Sequence, residues 1–355
     1  MGAVIRRRDL EAREHELLSP HASFSDESLG RARPEEADPL RTCYQCDRDR
    51  VLHSKSFRRL ANKTQAFLAP EGDHYRTRLT HTLEVAQIAR DIARPLGLNE
   101  DLTEAIALGH DLGHTPFGHT GERALSRAMA LHRGIDPESA EGRALFEHNV
   151  QSVRILERLE KGGRGLNLSR EVLDGIRCHK GGLRAATLEG RVVARADRIA
   201  YVCHDIDDAE RAGLLSEDML PVRYRDCLGH CSSERIETMV RDVVTTSAGA
   251  DDILMSEPVW QAMMGLREYL FENLYTRGDA KYEEPKANRM IGELFDYFIA
   301  HLDEVPAEYR GLEPDRPDVE VADFVAGMTD RYAVRIYEEL KVPHAWRAPE
   351  LHRDL

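Results

Sequence analysis

The chain has 355 residues, of which 32% are charged and 41% are hydrophobic. This composition is typical of a folded globular protein with a real core, and it excludes disordered and membrane-embedded classes. The formal net charge of −14 argues against a general nucleic-acid binder, and no apolar run is long enough to cross a bilayer. The first residues are basic without an apolar segment, so we expect no secretory signal and a cytoplasmic protein.

Six cysteines are scattered at positions 43, 46, 178, 203, 227 and 231. They are too few for a disulfide scaffold of this length, and reduced thiols are expected. Cys43 with Cys46, or Cys227 with Cys231, would give half of a zinc site. Neither pair has a second well-spaced pair nearby, so the sequence disfavours structural zinc.

The chain divides into three regions by its pattern of residues. Residues 1–40 are polar and are interpreted as an N-terminal arm. Residues 41–215 show mostly helical periodicity and form the expected core, and residues 216–355 are expected to be further helices that complete the pocket and supply oligomer contacts. Since no alternating strand series is present, the predicted fold class is all-α.

Two consecutive helices are predicted before the most unusual segment. In "HTLEVAQIARDIARPLG", His81, Val85 and Ile88 lie on one helical face, and Pro95 ends the helix. Asn99 then caps the helix "EDLTEAIALGHDLG". The following "GHTPFGHTGE" breaks that helix with glycines and a proline, which permits a sharp turn of the chain into a cleft.

Four polar residues lie where they would point inward. His81 is on an apolar helix face, His110 and Asp111 end the next helix, and Asp197 lies among apolar residues of the helix "GRVVARADRIAYVCHDIDDAERAG". A lone histidine in such a place is more often a hydrogen-bonded core residue. A buried aspartate, however, is costly unless it is paired or bound to a metal. Together the two imidazoles and two carboxylates suit a divalent cation with open coordination positions.

Two further groups accompany these residues. His119 and Glu122 are three residues apart at a helix start, where the carboxylate can orient the imidazole for proton donation, although simple capping is the alternative. Asp197, Tyr201 and Asp205 share one face of an otherwise apolar helix, which favours a ligand cavity over a solvent-facing stripe.

These motifs resemble those of the HD-domain metallophosphohydrolases. More narrowly, five strings are similar to the deoxyguanosinetriphosphate triphosphohydrolase (dGTPase)-like proteins: "RTRLTHTLEVAQIAR", "LTEAIALGHDLGHTPFGHTGE", "FEHNVQSVRILE", "ADRIAYVCHDIDDA" and "VADFVAGMTDRYA". The likeness runs from about residue 15 to 345 in consistent order. It implies an all-α HD-domain fold with additional C-terminal helices.

The resemblance also implies an activity and a set of residue roles. The reaction would convert a deoxynucleoside triphosphate (dNTP) and water into a deoxynucleoside and inorganic triphosphate, by attack of metal-activated water at the α-phosphorus. The divalent metal (Mg²⁺, Mn²⁺, Co²⁺ or Fe²⁺) would be bound by four residues: His81, His110, Asp111 and Asp197. His119 would be the general acid, paired with Glu122. The other implied positions are His114 and His148 at the α-phosphate, Gln65, Tyr201 and Asp205 at the sugar, and Arg78 and Arg198 at the phosphates.

Family relatives are usually homo-oligomers with dNTP effector sites, so the resemblance implies both for this chain. Two positions depart from the family pattern, with Cys46 where a basic residue is common and Arg198 where lysine is frequent. Two alternatives stay open: an HD phosphohydrolase acting on nucleoside monophosphates or cyclic dinucleotides, and a dNTP-sensing module with negligible turnover. Membrane contact is not expected, and single-stranded nucleic acid would be at most a side activity.

Overall fold

The computed structural model describes residues 4–65, 76–180, 182–275 and 280–343. Over these ranges the fold is all-α, as predicted, and the only extended pairings are two isolated bridges, Arg31 with Ser169 and Thr64 with Thr77. The helices are α1 (Arg7–Leu17), α2 (Cys43–Leu52), α3 (Lys55–Arg59), α4 (Arg78–Ala93), α5 (Glu100–Gly109), α6 (Gly118–His132), α7 (Ala140–Arg143), α8 (His148–Arg154), α9 (Glu160–Gly163), α10 (Arg170–Arg177), α11 (Leu188–Arg211), α12 (Val222–Leu228), α13 (Ser232–Ser247), α14 (Glu257–Leu270), α15 (Ala280–Ala300), α16 (Pro317–Gly327) and α17 (Asp330–Lys341).

The two helices predicted before the unusual segment are confirmed. Thr77 caps α4, and the amide of Leu102 donates to the side chain of Asn99 at the start of α5. The predicted face of α4 is buried, with His81 only 1% exposed. Helix α5 ends at Gly109, earlier than the sequence pattern suggested, so His110 and Asp111 lie at its C-terminal end.

Two apolar clusters form the interior. The larger one packs α4, α5, α10, α13 and α14 around the central helix α11, and α2 packs on α5. The smaller one packs α15 and α16 on α6, and α17 packs on α15. Each cluster takes residues from both sides of position 215, and the predicted boundary there stays a prediction. The segment 110–118, which links α5 to α6, runs between the two clusters.

The N-terminal region packs on the core rather than extending as a free arm. It contains α1, which the interpretation of residues 1–40 as an irregular polar arm did not foresee. Buried Glu189 on α11 accepts hydrogen bonds from the backbone and hydroxyl of Ser23 at 2.9 and 3.0 Å. Arg31 pairs with buried Asp47 on α2. Polar side chains on the core therefore hold this segment. Because the segment has few apolar residues, its hydrophobic pattern could not predict this packing.

Hydrogen bonds connect residues 110–118 and their neighbours to the C-terminal helices. Phe117 has a left-handed backbone with a φ of 62°, and its amide donates to Asp330 at 3.1 Å. Asp330, the first residue of α17, also accepts from the amide of Thr64 at 3.0 Å. The buried ammonium of Lys63 donates to the carbonyls of His114 and Ala326. These bonds tie the α5–α6 connection to α16 and α17.

We expect Gly113→Ala to destabilise the fold by about 1–3 kcal/mol or more, because packed backbone cannot move aside. A Cβ at Gly113 would lie 2.1 Å from the carbonyl oxygen of His148 and 2.4 Å from the amide of Ser152. Urea denaturation of both proteins measures the loss. Gly292→Ala is the control, since nothing lies within 4 Å there and alanine favours a helix. Equal midpoints for Gly113→Ala and the native chain would contradict the prediction.

Candidate metal centre and acid–base cluster

The structure brings together the four residues predicted to bind a metal, here named the metal centre: His81 on α4, His110 and Asp111 after α5, and Asp197 on α11. The Nε2 atom of His81 lies 3.1 Å from Oδ1 of Asp197 and 3.9 Å from Oδ2 of Asp111. The Nε2 atom of His110 lies 3.7 Å from the same Asp197 oxygen. Helix α4, the segment after α5 and helix α11 therefore bring two imidazoles and two carboxylates close together.

The surroundings of His110 show that the metal centre suits a cation. Its Nδ1–H donates to the carbonyl of Ala107 at 2.7 Å, so Nε2 carries a lone pair when the ring is neutral. That Nε2 atom is fully buried and has no hydrogen-bond partner among the described residues. Burial alone would lower the pKa of His110, but Asp111 and Asp197 outweigh it and raise the pKa to about 9. The residues present thus fit a divalent metal, which satisfies both carboxylates and the lone pair.

Asp111 has a polar partner at each of its two oxygens. Its Oδ2 accepts from the buried guanidinium of Arg78 at 2.7 Å, and its Oδ1 lies 3.1 Å from Nε2 of His114. Although burial opposes ionisation, His110, His114 and Arg78 hold the pKa of this carboxyl well below its usual range. Arg78, expected at the phosphates, is therefore first of all the partner of Asp111.

A second group, the acid–base cluster, surrounds the buried carboxylate of Glu122 and contains His119, His148 and Lys180. Glu122 accepts from Nδ1 of His119 at 3.0 Å, from Nδ1 of His148 at 3.0 Å and from the amide of His148 at 3.1 Å. Burial opposes ionisation here too, but His119 and His148 keep the pKa of Glu122 far below its ordinary value. His119 is 54% exposed, so its Nε2 is open to a ligand.

His114 lies between the metal centre and the acid–base cluster. Its ring stacks on that of His148 with centroids 3.9 Å apart, and the ring of His119 is 5.1 Å away. Burial, Arg78 and His148 lower the pKa of His114 well below its ordinary value, so the ring is neutral. A neutral imidazole against Asp111 links the two groups by a hydrogen bond.

The remaining predicted residues lie around this region. Tyr201 and Asp205 follow Asp197 on α11, half-buried and buried respectively. The guanidinium of Arg198 lies 5.2 Å from the ring centroid of Trp260. The Oε1 atom of Gln65 is buried without a partner among the described residues, and its backbone carbonyl accepts from Arg78 at 3.5 Å.

The two cysteine pairs considered as half of a zinc site are not part of a metal-binding group among the described residues. All six cysteines are free, and none of them belongs to a described group of three or more side chains positioned to bind a metal.

Sequence reasoning missed the residues behind the metal centre. The Nδ1 atom of His81 lies 3.3 Å from Nδ1 of His204, whose Nε2 lies 3.3 Å from the carboxylate of Glu84. When Nε2 of His81 binds a cation, its Nδ1–H donates to His204, and His204 in turn donates to Glu84. The signal was available: His204 is seven residues after Asp197, two turns along the same helix face.

We expect His204→Gln to weaken divalent metal binding by about 10–100-fold, because outer hydrogen bonds orient a ligating histidine and increase its basicity. Calorimetric titration of the metal-free chain with Mn²⁺ measures the change. His230→Gln is the control, since the side chain of His230 is 61% exposed. Unchanged Mn²⁺ affinity in His204→Gln would rule out the orienting role.

The lowered pKa of His204 predicts that the metal-free chain loses stability in acid. Burial, His81 and Arg76 lower the pKa of His204 from 6.5 to about 2, so the unfolded state binds a proton that the folded state does not. Below about pH 6.5 the native chain loses up to about 1.4 kcal/mol per pH unit from this group. In His204→Gln that contribution is absent, so the stability of the two proteins, measured in urea at pH 7.5, 6 and 5, should converge as the pH falls. A difference in stability between the two proteins that grows as the pH falls would refute this prediction.

Comparison with known proteins finds two family models that match this chain. The HD domain model matches residues 78–202, which contain both groups, and the phosphohydrolase-associated domain model matches residues 253–339. The deoxyguanosinetriphosphate triphosphohydrolase-like protein of Caldanaerobacter subterraneus is 51% identical over 96% of this chain and 97% of its own length. That of Clostridium perfringens strain 13 is 46% identical over 95% of this chain and 98% of its own length.

The chain belongs to the dGTPase-like family of HD-domain proteins. Membership supports a hydrolase with a divalent metal site. The HD match begins at Arg78 and ends at Val202, so it covers α4 and every helix up to the first two-thirds of α11. Across the described residues no helix is both long and apolar enough to cross a membrane.

Proposed function

We propose that the chain is a metal-dependent dNTP triphosphohydrolase that releases a deoxynucleoside and inorganic triphosphate. The observation that carries the proposal is the joint presence of the metal centre and the exposed His119, whose Nδ1 is fixed by Glu122 at 3.0 Å. The names of the relatives support the substrate class. Hydrolysis at an α-phosphorus expels an alkoxide, a poor leaving group, so a positioned proton donor is required.

The metal centre and His119 have complementary roles in this proposal. His81, His110, Asp111 and Asp197 would hold a divalent cation, which would supply a water molecule of lowered pKa and polarise the phosphoryl group. His119 holds a proton on Nε2 and gives it to the departing 5′ oxygen. Glu122 stays ionised, because its pKa is strongly lowered, and the carboxylate stabilises the imidazolium form of His119.

The remaining residues bind the substrate. Neutral His114 lines the α-phosphate without adding charge, and its single N–H is directed at Asp111. Tyr201 and Asp205, on the same face of α11 as Asp197, contact the deoxyribose, and the buried Oε1 of Gln65 accepts from it. Arg198 and the free N–H groups of Arg78 neutralise the phosphates. A dNTP effector and a homo-oligomer, both usual in relatives, are part of the proposal.

Product analysis tests the proposal. The chain is incubated with each dNTP singly and in pairs, with Mg²⁺, Mn²⁺ or Co²⁺, and the products are separated by ion-exchange chromatography. We expect deoxynucleoside and triphosphate in equal amounts. Orthophosphate or pyrophosphate as the first product would overturn it, and orthophosphate from a nucleoside monophosphate would favour the alternative phosphohydrolase. Binding of a dNTP without turnover under every condition would favour a sensing module, although the intact pair of His119 and Glu122 speaks against one.

A further inference from the structure

Two arginines of α11, here named the arginine pair, lie over one tryptophan beside the metal centre. The guanidinium carbon of Arg195 lies 4.7 Å from the ring centroid of Trp260, and that of Arg198 lies 5.2 Å from it. Trp260 belongs to α14, inside the segment that matches the phosphohydrolase-associated domain. Since Arg198 directly follows Asp197 in the chain, the arginine pair begins next to the metal centre.

Among the described residues, no ion pair neutralises the positive charge of the arginine pair. The carboxylate that acts on Arg195 from a distance is Asp252, which is already paired with Arg184 at 3.0 Å and with Arg191 at 3.2 Å. A chain with a net charge of −14 offers many carboxylates. Two neighbouring arginines that have none as a partner therefore indicate a site for an external anion.

The hydrogen-bonding groups of Arg195 are also poorly satisfied. Its Nη1 atom is buried and has no hydrogen-bond partner among the described residues. Its Nη2 atom donates to the carbonyl of Ile253 at 3.5 Å, which is long for such a bond. A buried cationic N–H without an acceptor is unfavourable, and an anion that enters the site supplies the acceptor. Arg195 therefore has unused donors as well as an unused charge.

Burial and like charge both raise the free energy of the arginine pair. Burial and the neighbouring Arg198 lower the pKa of Arg195. Burial also lowers the pKa of Arg198, with Asp197 opposing this and Arg267 of α14 adding to it. Both side chains nevertheless stay charged, because a guanidinium in a protein does not lose its proton near neutral pH. A bound anion would relieve this repulsion.

The arginine pair suits the outer part of a phosphate chain. A guanidinium that stacks on an aromatic ring keeps its planar fork of N–H groups available for two oxygens of one phosphate. Residues three apart on a helix are displaced by about 4.5 Å along its axis. Arg198 can therefore meet a phosphate near the metal centre, while Arg195 meets the next phosphate outward.

We propose that Arg195, held by Trp260, binds the terminal phosphate of a nucleoside triphosphate and makes the site select triphosphates over diphosphates. This rests on the proposed function only for the substrate class and for the place of the α-phosphate at the metal centre. It gives a role to Arg195, which the sequence pattern did not single out. Trp260 is then a positioning residue, through which α14 takes part in recognising the phosphate chain.

Binding of dGTP and dGDP to the metal-free chain tests this without turnover, because the two ligands differ only in the terminal phosphate. The names of the relatives suggest this base. The full chain is stripped with a chelator and titrated with each nucleotide by calorimetry. We expect the native chain to bind dGTP about 10–100-fold more tightly than dGDP, as hydrogen bonds to a charged group provide. In Arg195→Gln the two affinities should become nearly equal.

A matched control and a second variant make the result specific to Arg195. Arg211→Gln changes an arginine of the same helix about 24 Å further along it, with a side chain that is 47% exposed, and should keep the native preference. If Arg195→Gln does not unfold cooperatively, Arg195→Lys decides. Lysine keeps the charge but loses the fork, so its preference for dGTP should lie below the native one.

Three results would overturn the proposal. The first is a native chain that binds no dGTP or binds both nucleotides equally, and the second is a native preference in the deciding Arg195 variant. The third is an equal loss of affinity for both nucleotides in that variant, which would show that Arg195 only supports α11. A native preference for dGTP without release of triphosphate would refute the proposed function and leave this site standing, whereas triphosphate release with equal affinities would do the reverse.

Discussion

His119→Ala should lower the kcat for dNTP hydrolysis by about 10²–10⁴-fold, the usual contribution of a positioned general acid. The imidazole is 54% exposed and is hydrogen-bonded to Glu122, so its removal should leave the fold and the metal centre intact. Steady-state kinetics measures the rate, and atomic emission measures the metal content. We expect the metal content to be unchanged.

Two comparisons make the result specific to proton donation. His53→Ala removes another exposed histidine and should retain full activity. A substrate analogue with a 5′ leaving group of low pKa, such as a nitrophenyl ester, should be hydrolysed by His119→Ala with little loss, since it needs no acid. Loss of metal in parallel with loss of rate would mean that His119 is a ligand instead.

Asp197→Asn should lower dNTP hydrolysis by at least about 10³-fold and remove the ion of the metal centre, because a metal supplies several kcal/mol of charge stabilisation. Oδ1 of Asp197 lies 3.1 Å from His81 and 3.7 Å from His110, and an amide there is a much weaker ligand. Metal content and kcat at saturating Mn²⁺ are the measurements.

Asp207→Asn is the matched control for this change. It lies on the same helix, and its side chain is 23% exposed against 27% for Asp197. It pairs with Arg76 at 3.1 Å rather than facing the metal centre, so metal content and rate should stay near native. Equal damage from both substitutions would show that α11 is merely disturbed, and would contradict the role of Asp197.

The sequence predicted the parts of the site in which a polar residue interrupts a regular apolar pattern. His81 and Asp197 are such interruptions, and the structure brings them within 3.1 Å. The helix-breaking segment containing His110, Asp111 and His119 was visible through its glycines and proline. Helical periodicity likewise gave the fold class, because it depends only on neighbours along one helix.

What remained hidden depends on contacts between distant parts of the chain. His179 lies two residues after the end of α10, and the packing of α10 on α5 and α8 brings its Nε2 atom within 3.2 Å of Nε2 of His148. The segment that follows α1 is held by polar contacts such as that of Ser23 with Glu189. Such contacts produce no hydrophobic pattern in the sequence. Arg78 was expected at the phosphates, and its pairing with Asp111 became visible only in three dimensions.

Asp330 ties the C-terminal helices to the backbone that precedes His119. It accepts from the amides of Phe117 and Thr64, one residue before α6 and one residue before Gln65. A chain shortened ahead of α17 would lose both of these hydrogen bonds, while the contacts of Lys63 with the carbonyls of His114 and Ala326 would remain. The segment that matches the phosphohydrolase-associated domain is therefore joined to the backbone beside His119, although more than two hundred residues separate them along the chain.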